Sequence, residues 1–166
     1  MKRVHFLALI IILFSGLGTS SCSNDLEDAE ELLNTADLNV ETELEQGAFK
    51  AVNEFRGKKG LPLLNFNEVA YQVALEHTKE MAVHGKMSHD GFTGRSTKLA
   101  AQVNAVKVAE NLSTNYPTAE LTVYYWLQSP DHRAAILGEY THTAVAVVST
   151  PQGNVYYTQI FFKAGS

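Results

Sequence analysis

Ala144-Val145-Ala146-Val147-Val148 is an unbroken apolar run between Thr143 and Ser149. So short a run reads as a strand, and successive side chains of a strand point to opposite faces. Apolar residues at both parities then require cover on both faces. Pro151-Gln152-Gly153-Asn154 is a turn, and Val155 to Lys163 reads as the returning strand. The rest of the chain must supply one layer above this hairpin and one below.

The segments before the hairpin read mainly as helices. Ala48, Phe49, Val52 and Phe55 fall at helical spacing, so a first helix is expected over Gln46–Arg56, stopped by Gly57 and Gly60. Leu61-Pro62-Leu63-Leu64 is an extended connector. Asn67 is a good N-cap, with Phe66 and Tyr71 placed as a hydrophobic staple. A second helix is expected from Glu68 to about Val83, ended by Gly85. Weak helical spacing covers Ser96 to Val103, and Val108 to Ser113 is strand-like. Thr118 to Gln128 reads as a third main helix. Ser129-Pro130 opens another that ends at Gly138. Helices followed by a doubly covered hairpin predict an α+β fold with its sheet between helical layers.

The N-terminus carries a different message. Lys2 and Arg3 precede an apolar run, Phe6 to Phe14, and then the small residues Ser15, Gly16 and Gly18 to Ser21. This is the layout of a secretory signal peptide, too short to span a membrane comfortably. The run ends at Thr19-Ser20-Ser21-Cys22, which resembles a bacterial lipobox, although the usual Leu is here Thr19. Cys22 is the only cysteine, which permits no intramolecular disulfide and no cysteine-based zinc site. Residues 1–22 are therefore expected to be a lipoprotein signal peptide that leaves Cys22 acylated, with the protein exported and held on a membrane, periplasmic or at the cell surface.

Of the 18 acidic residues, nine lie between Ser23 and Glu45, where there is no Lys or Arg. Self-repulsion makes 23–45 an expected flexible tether, with nascent helix at Glu27 to Leu33. The remainder, 46–166, is near neutral and reads as one domain. It lacks the clustered Lys and Arg of a nucleic-acid binder.

Five histidines lie in the domain. His77 and His84 share a helix face and read as half-buried residues with local partners. His89 follows a helix end in Met87-Ser88-His89-Asp90-Gly91. His132 falls in the first turn of a short helix, where the dipole favours the neutral ring. Glu110 interrupts the apolar stretch Val108-Ala109-Glu110-Asn111-Leu112, so it is either solvent-facing or presented in a cleft. Two imidazoles and a carboxylate can hold zinc or another divalent cation with an open position, though ligands so distant in sequence carry little weight by spacing alone.

Four stretches together resemble the CAP superfamily, the SCP-like extracellular domain, in its short bacterial form. They are Ser88-His89-Asp90-Gly91-Phe92 with Arg95, Ala109-Glu110-Asn111-Leu112, Trp126 through Leu137 including Ser129-Pro130-Asp131-His132-Arg133, and Tyr156-Tyr157-Thr158-Gln159-Ile160-Phe161. Val52-Asn53-Glu54-Phe55-Arg56 fits as well. The resemblance implies a three-layer α-β-α sandwich with His89, Glu110 and His132 lining a central cleft. It adds Arg95, Asn111, Ser129 and Gln159 as cleft residues. Animal and plant members carry a second Glu where this chain has Ser129, which weakens any divalent-metal role carried over. Family members have been linked to sterol and lipid binding, protein interactions and proteolysis, and fold alone does not choose among these.

Three readings of the cleft follow. It is a non-catalytic binding module for a small ligand, an envelope component or a metal. It is a metal-assisted hydrolase, a peptidase or esterase, in which Glu110 is ligand or general base. Or it is a structural network in which Glu110 accepts hydrogen bonds from both His89 and His132.

Overall fold

The computed structural model describes residues 37–165. The signal segment, Cys22, the nascent helix at 27–33 and most of the tether lie outside the described residues. Among the described residues there are five strands, β1 (Asn39–Val40), β2 (Asn65–Phe66), β3 (Ala105–Thr114), β4 (His142–Ser149) and β5 (Val155–Ala164). Five helices accompany them, α1 (Thr42–Lys58), α2 (Glu68–His84), α3 (Phe92–Val103), α4 (Ala119–Gln128) and α5 (Pro130–Leu137).

The sheet runs β1-β4-β5-β3, with β2 also pairing onto β4. β4–β5 is the expected antiparallel hairpin, and β3 joins β5 antiparallel with Glu110 opposite Ile160 and Asn111 opposite Gln159. Thr143 through Val148 are all buried, as the apolar run requires. One face packs Val145, Val147, Tyr157 and Phe161 against Val52 of α1, Trp126 of α4 and Ile136 of α5. The other packs Ala144, Ala146, Ile160 and Phe162 against Val73 of α2 and Leu99 of α3. The architecture is the expected three-layer α-β-α sandwich.

Local signals explain the helix limits. Asn67 Oδ1 accepts from Ala70 N at 2.9 Å, and the Phe66 and Tyr71 rings lie 6.0 Å apart, as in a staple. Gly85, at φ 63°, closes α2 in the left-handed region that glycine adopts without strain. Thr118 Oγ1 accepts from Leu121 N at 3.2 Å. Ser129 holds the N-cap position of α5, but its hydroxyl makes no capping bond.

Three elements differ in extent from expectation. The first helix runs from Thr42 to Lys58, so the boundary at residue 46 falls inside it and Gly57 does not stop it. Glu41 N donates to Val147 O, and the Glu45 carboxylate accepts from Val147 N and from the Tyr71 hydroxyl. These bonds fasten the last acidic residues of the supposed tether to the edge of β4. α3 begins at Phe92 instead of Ser96, because Gly91 in the left-handed region turns the chain into it. β3 extends to Ala105–Thr114, its added length being held by pairing to β5.

Candidate functional site

Alternation along β3 builds the site. Ala109 packs with the α1/α4/α5 cluster and Val108 with the α2/α3 cluster. Lys107, Ala109 and Asn111 therefore face one side, and Glu110 the other. Because β3 is the last strand of the sheet, side chains from both faces meet around its free edge.

On the α3 side, the Glu110 side chain is 1% exposed and Arg95 is 11% exposed. Arg95 Nε donates to Glu110 Oε2 and Arg95 Nη2 to Oε1, both at 2.8 Å, a two-pronged fork. His89 Nδ1 lies 2.8 Å from the same Oε1. A carboxylate only accepts, so Nδ1 carries the proton and donates. His89 itself is 57% exposed. Arg95 Nη1 reaches the Asp90 carbonyl at 2.8 Å, and Asp90 N donates to Ser88 Oγ, which pins the loop that carries His89.

On the opposite side, Asn111 Nδ2 donates to the His132 carbonyl at 3.1 Å and Trp126 Nε1 to the Leu112 carbonyl at 2.9 Å. These bonds dock α4 and α5 on β3. Burial, followed by the nearby His89, lowers the His132 pKa, while Asp131 opposes the shift. Burial is the largest cause, where the helix dipole was the reason read from the sequence.

A cleft of about 580 Å³ joins the two sides, lined by His89, Glu110, Ser129, His132, Lys107, Asp131 and Tyr140, with small walls at Ala109, Ala134 and Ala135. His89, Glu110, His132 and Ser129 are thus brought together as expected. Three other sequence candidates stand elsewhere. Arg95 backs Glu110 from behind and lines a separate hollow under α3. Asn111 is buried beneath α5. Gln159 is buried mid-sheet, where its Nε2 donates to Thr143 Oγ1 at 3.1 Å. Lys107 and Tyr140 were not anticipated. Lys107 Nζ stands 4.8 Å from the Tyr140 ring centre, and period-two spacing from Asn111 was the signal that pointed to it.

The donor set fits a zinc ion poorly. Both oxygens of Glu110 are engaged by a guanidinium, whose charge opposes a second cation there. Ser129 supplies no carboxylate. Among the described residues, no group of three His, Cys, Asp or Glu side chains is placed to hold a metal. The expected Glu110–His132 hydrogen bond of the network reading is absent from the bonds formed. Arg95 takes that place, and α5 is tied through its backbone by Asn111.

A three-layer sandwich with a polar cleft across an edge strand is the class of domain these features define. Over residues 49–161 the sequence matches the Cysteine-rich secretory protein family, CAP, and the chain belongs to that family. The uncharacterized membrane protein YlbC of Bacillus subtilis (strain 168) is 31% identical over 128 residues, 75% of this chain. This chain spans only 36% of that relative's length. An extracellular protein containing a SCP domain from Bacillus anthracis str. Ames superposes with a TM-score of 0.60 at 28% identity, covering 72% of this chain and 40% of that one. An outer surface protein of Borrelia burgdorferi shares the fold at TM-score 0.65 and 19% identity, over 70% of this chain and 90% of that one.

Proposed function

We propose that this protein is an exported, lipid-anchored CAP module that binds a small polar ligand or envelope component in the His89–Glu110–His132 cleft without transforming it. The engagement of Glu110 carries this reading. A carboxylate holding three charge-assisted or imidazole hydrogen bonds at 2.8 Å is neither a ready general base nor an open metal ligand. What remains free to meet a ligand is the His89 Nε2 edge, the His132 ring, the Ser129 hydroxyl and the Lys107 ammonium. This is a recognition set with donors of several kinds. The signal-peptide layout supports export, as do relatives named as membrane, extracellular and outer-surface proteins.

The hydrolase reading keeps one point in its favour. His132 is held toward its neutral form in a cleft, where such a ring can accept a proton. Assays on peptide, ester and glycan libraries separate the two readings. The purified protein is expected to show no turnover, and envelope-derived small molecules should raise its melting temperature but not that of His132→Ala. Hydrolysis abolished by His132→Ala overturns the binding-module reading. Stoichiometric zinc lost on the same substitution overturns its metal-free part.

A further inference from the structure

At the opposite edge of the sheet from the cleft, a hollow of about 430 Å³ opens between α1 and α2. It is in the size range of small-molecule sites. Its walls are aromatic. The Phe49 and Phe66 ring centres are 6.4 Å apart and edge-on, and those of Phe66 and Tyr71 are 6.0 Å apart. Phe66 is 53% exposed although it sits on a strand. Part of this is the staple at the start of α2, but a staple needs only Phe66 and Tyr71, and Phe49 comes from a different helix.

Thr42 and Gln46 add neutral polar groups, and the charged groups are all of one sign. Glu45 and Glu68 line the hollow, and no Lys, Arg or His does. Glu45 is 8% exposed. Its Oε1 accepts from Val147 N at 3.0 Å and from the Tyr71 hydroxyl at 3.2 Å, whereas Oε2 is reached only by that same hydroxyl at 3.3 Å. Oε2 therefore keeps accepting capacity. Burial holds the Glu45 carboxyl above its ordinary range, and the Val147 and Tyr71 bonds offset this only in part. The sheet edge is also open here. β1 pairs with β4 at Val148 and Ser149 and β2 pairs at His142 and Thr143, which leaves Val145 in the gap without a strand partner on that side.

We propose that this hollow binds a small organic ammonium, a quaternary or alkylated amine, whose methyl or methylene groups pack on Phe49, Phe66 and Tyr71 and whose charge is met by Glu45 and Glu68. Aromatic faces attract cations through their quadrupole, most strongly where water is excluded. An anion is repelled by both carboxylates, and a neutral apolar molecule leaves them uncompensated. The site stands apart from the cleft and does not depend on what the cleft binds.

Calorimetric titration of the full-length protein in non-ionic detergent tests this with three probes: choline, its neutral isostere 3,3-dimethylbutan-1-ol, and a short-chain phosphatidylcholine below its micelle concentration. Choline should bind saturably and the isostere at least about fivefold more weakly. Phe66→Ala, at a half-exposed staple position, should weaken choline about fivefold while the variant remains folded at the titration temperature, as a cooperative thermal melt above it shows. Competition by the phosphatidylcholine makes the source a lipid headgroup, and its absence makes it a free ammonium. No saturable choline response from the folded protein, equal binding of the isostere, or unchanged binding by Phe66→Ala overturns the proposal.

Discussion

At the scale of single residues, the Arg95–Glu110 pair governs the site. Removing one member of a buried pair strands the other charge, whereas removing both together costs far less. Arg95→Met is therefore expected to destabilise the fold by about 3 kcal/mol, and Arg95→Met with Glu110→Leu by clearly less than the sum of the singles. Denaturant titrations of the four proteins check this, and additive losses would count against a coupled pair. His132 makes a prediction of a different kind. Above the ordinary imidazole value of 6.5, folded and unfolded rings are both neutral. Below it the unfolded ring takes up a proton that burial denies to the folded one, so the unfolded state binds more protons and stability falls as pH drops. Thermal melts between about pH 8 and pH 5 should show this loss in the native protein and a flatter profile in His132→Asn.

At the scale of elements, the helices are joined by close contacts as well as by apolar stripes. A Cβ built on Gly47 of α1 would sit 2.8 Å from Ala119 Cβ at the start of α4. Neither atom is the end of a flexible chain, so one helix must move. Gly47→Ala should thus cost roughly 1–2 kcal/mol in a melt, although alanine is the better helix former. Such a constraint is invisible along the chain. What was legible were features with local causes: the Asn67 cap, the Gly85 stop, the Ser129-Pro130 start and the apolar run of β4. The start of α1 was not legible, because composition marks 37–45 as solvated acid while Glu41 and Glu45 are held by backbone groups of Val147, about a hundred residues away. The cleft was half legible. His89, Glu110 and His132 stood out by residue type and position, and motif resemblance supplied their shared cleft and Ser129, yet the role of Arg95 as the clamp on Glu110 and the inward burial of Asn111 and Gln159 depend on which face of the sheet each residue takes. Residue type does not encode that choice.

At the scale of the whole molecule, the domain carries its cleft on the free edge of β3 and its N-terminal strand β1 beyond the other edge, on β4. β1, the first described strand, therefore lies on the side away from the cleft. Cys22→Ser is expected to move the protein from the membrane fraction to the soluble one, and mass spectrometry of the native N-terminus should find it acylated; persistence of the variant in membranes would refute the anchor. The placing of the site on β3 has a further consequence. Glu110 and Asn111 are neighbours in sequence, but one is clamped by α3 and the other docks α5. Sliding β3 by a single residue against β5 would set Asn111 before Arg95 and Leu112 beneath α5 in one direction, and Ala109 before Arg95 and Glu110 beneath α5 in the other. The cleft should consequently tolerate many substitutions along its rim and almost no insertion or deletion within 107–112, where even one added residue erases the site while leaving the sandwich able to form.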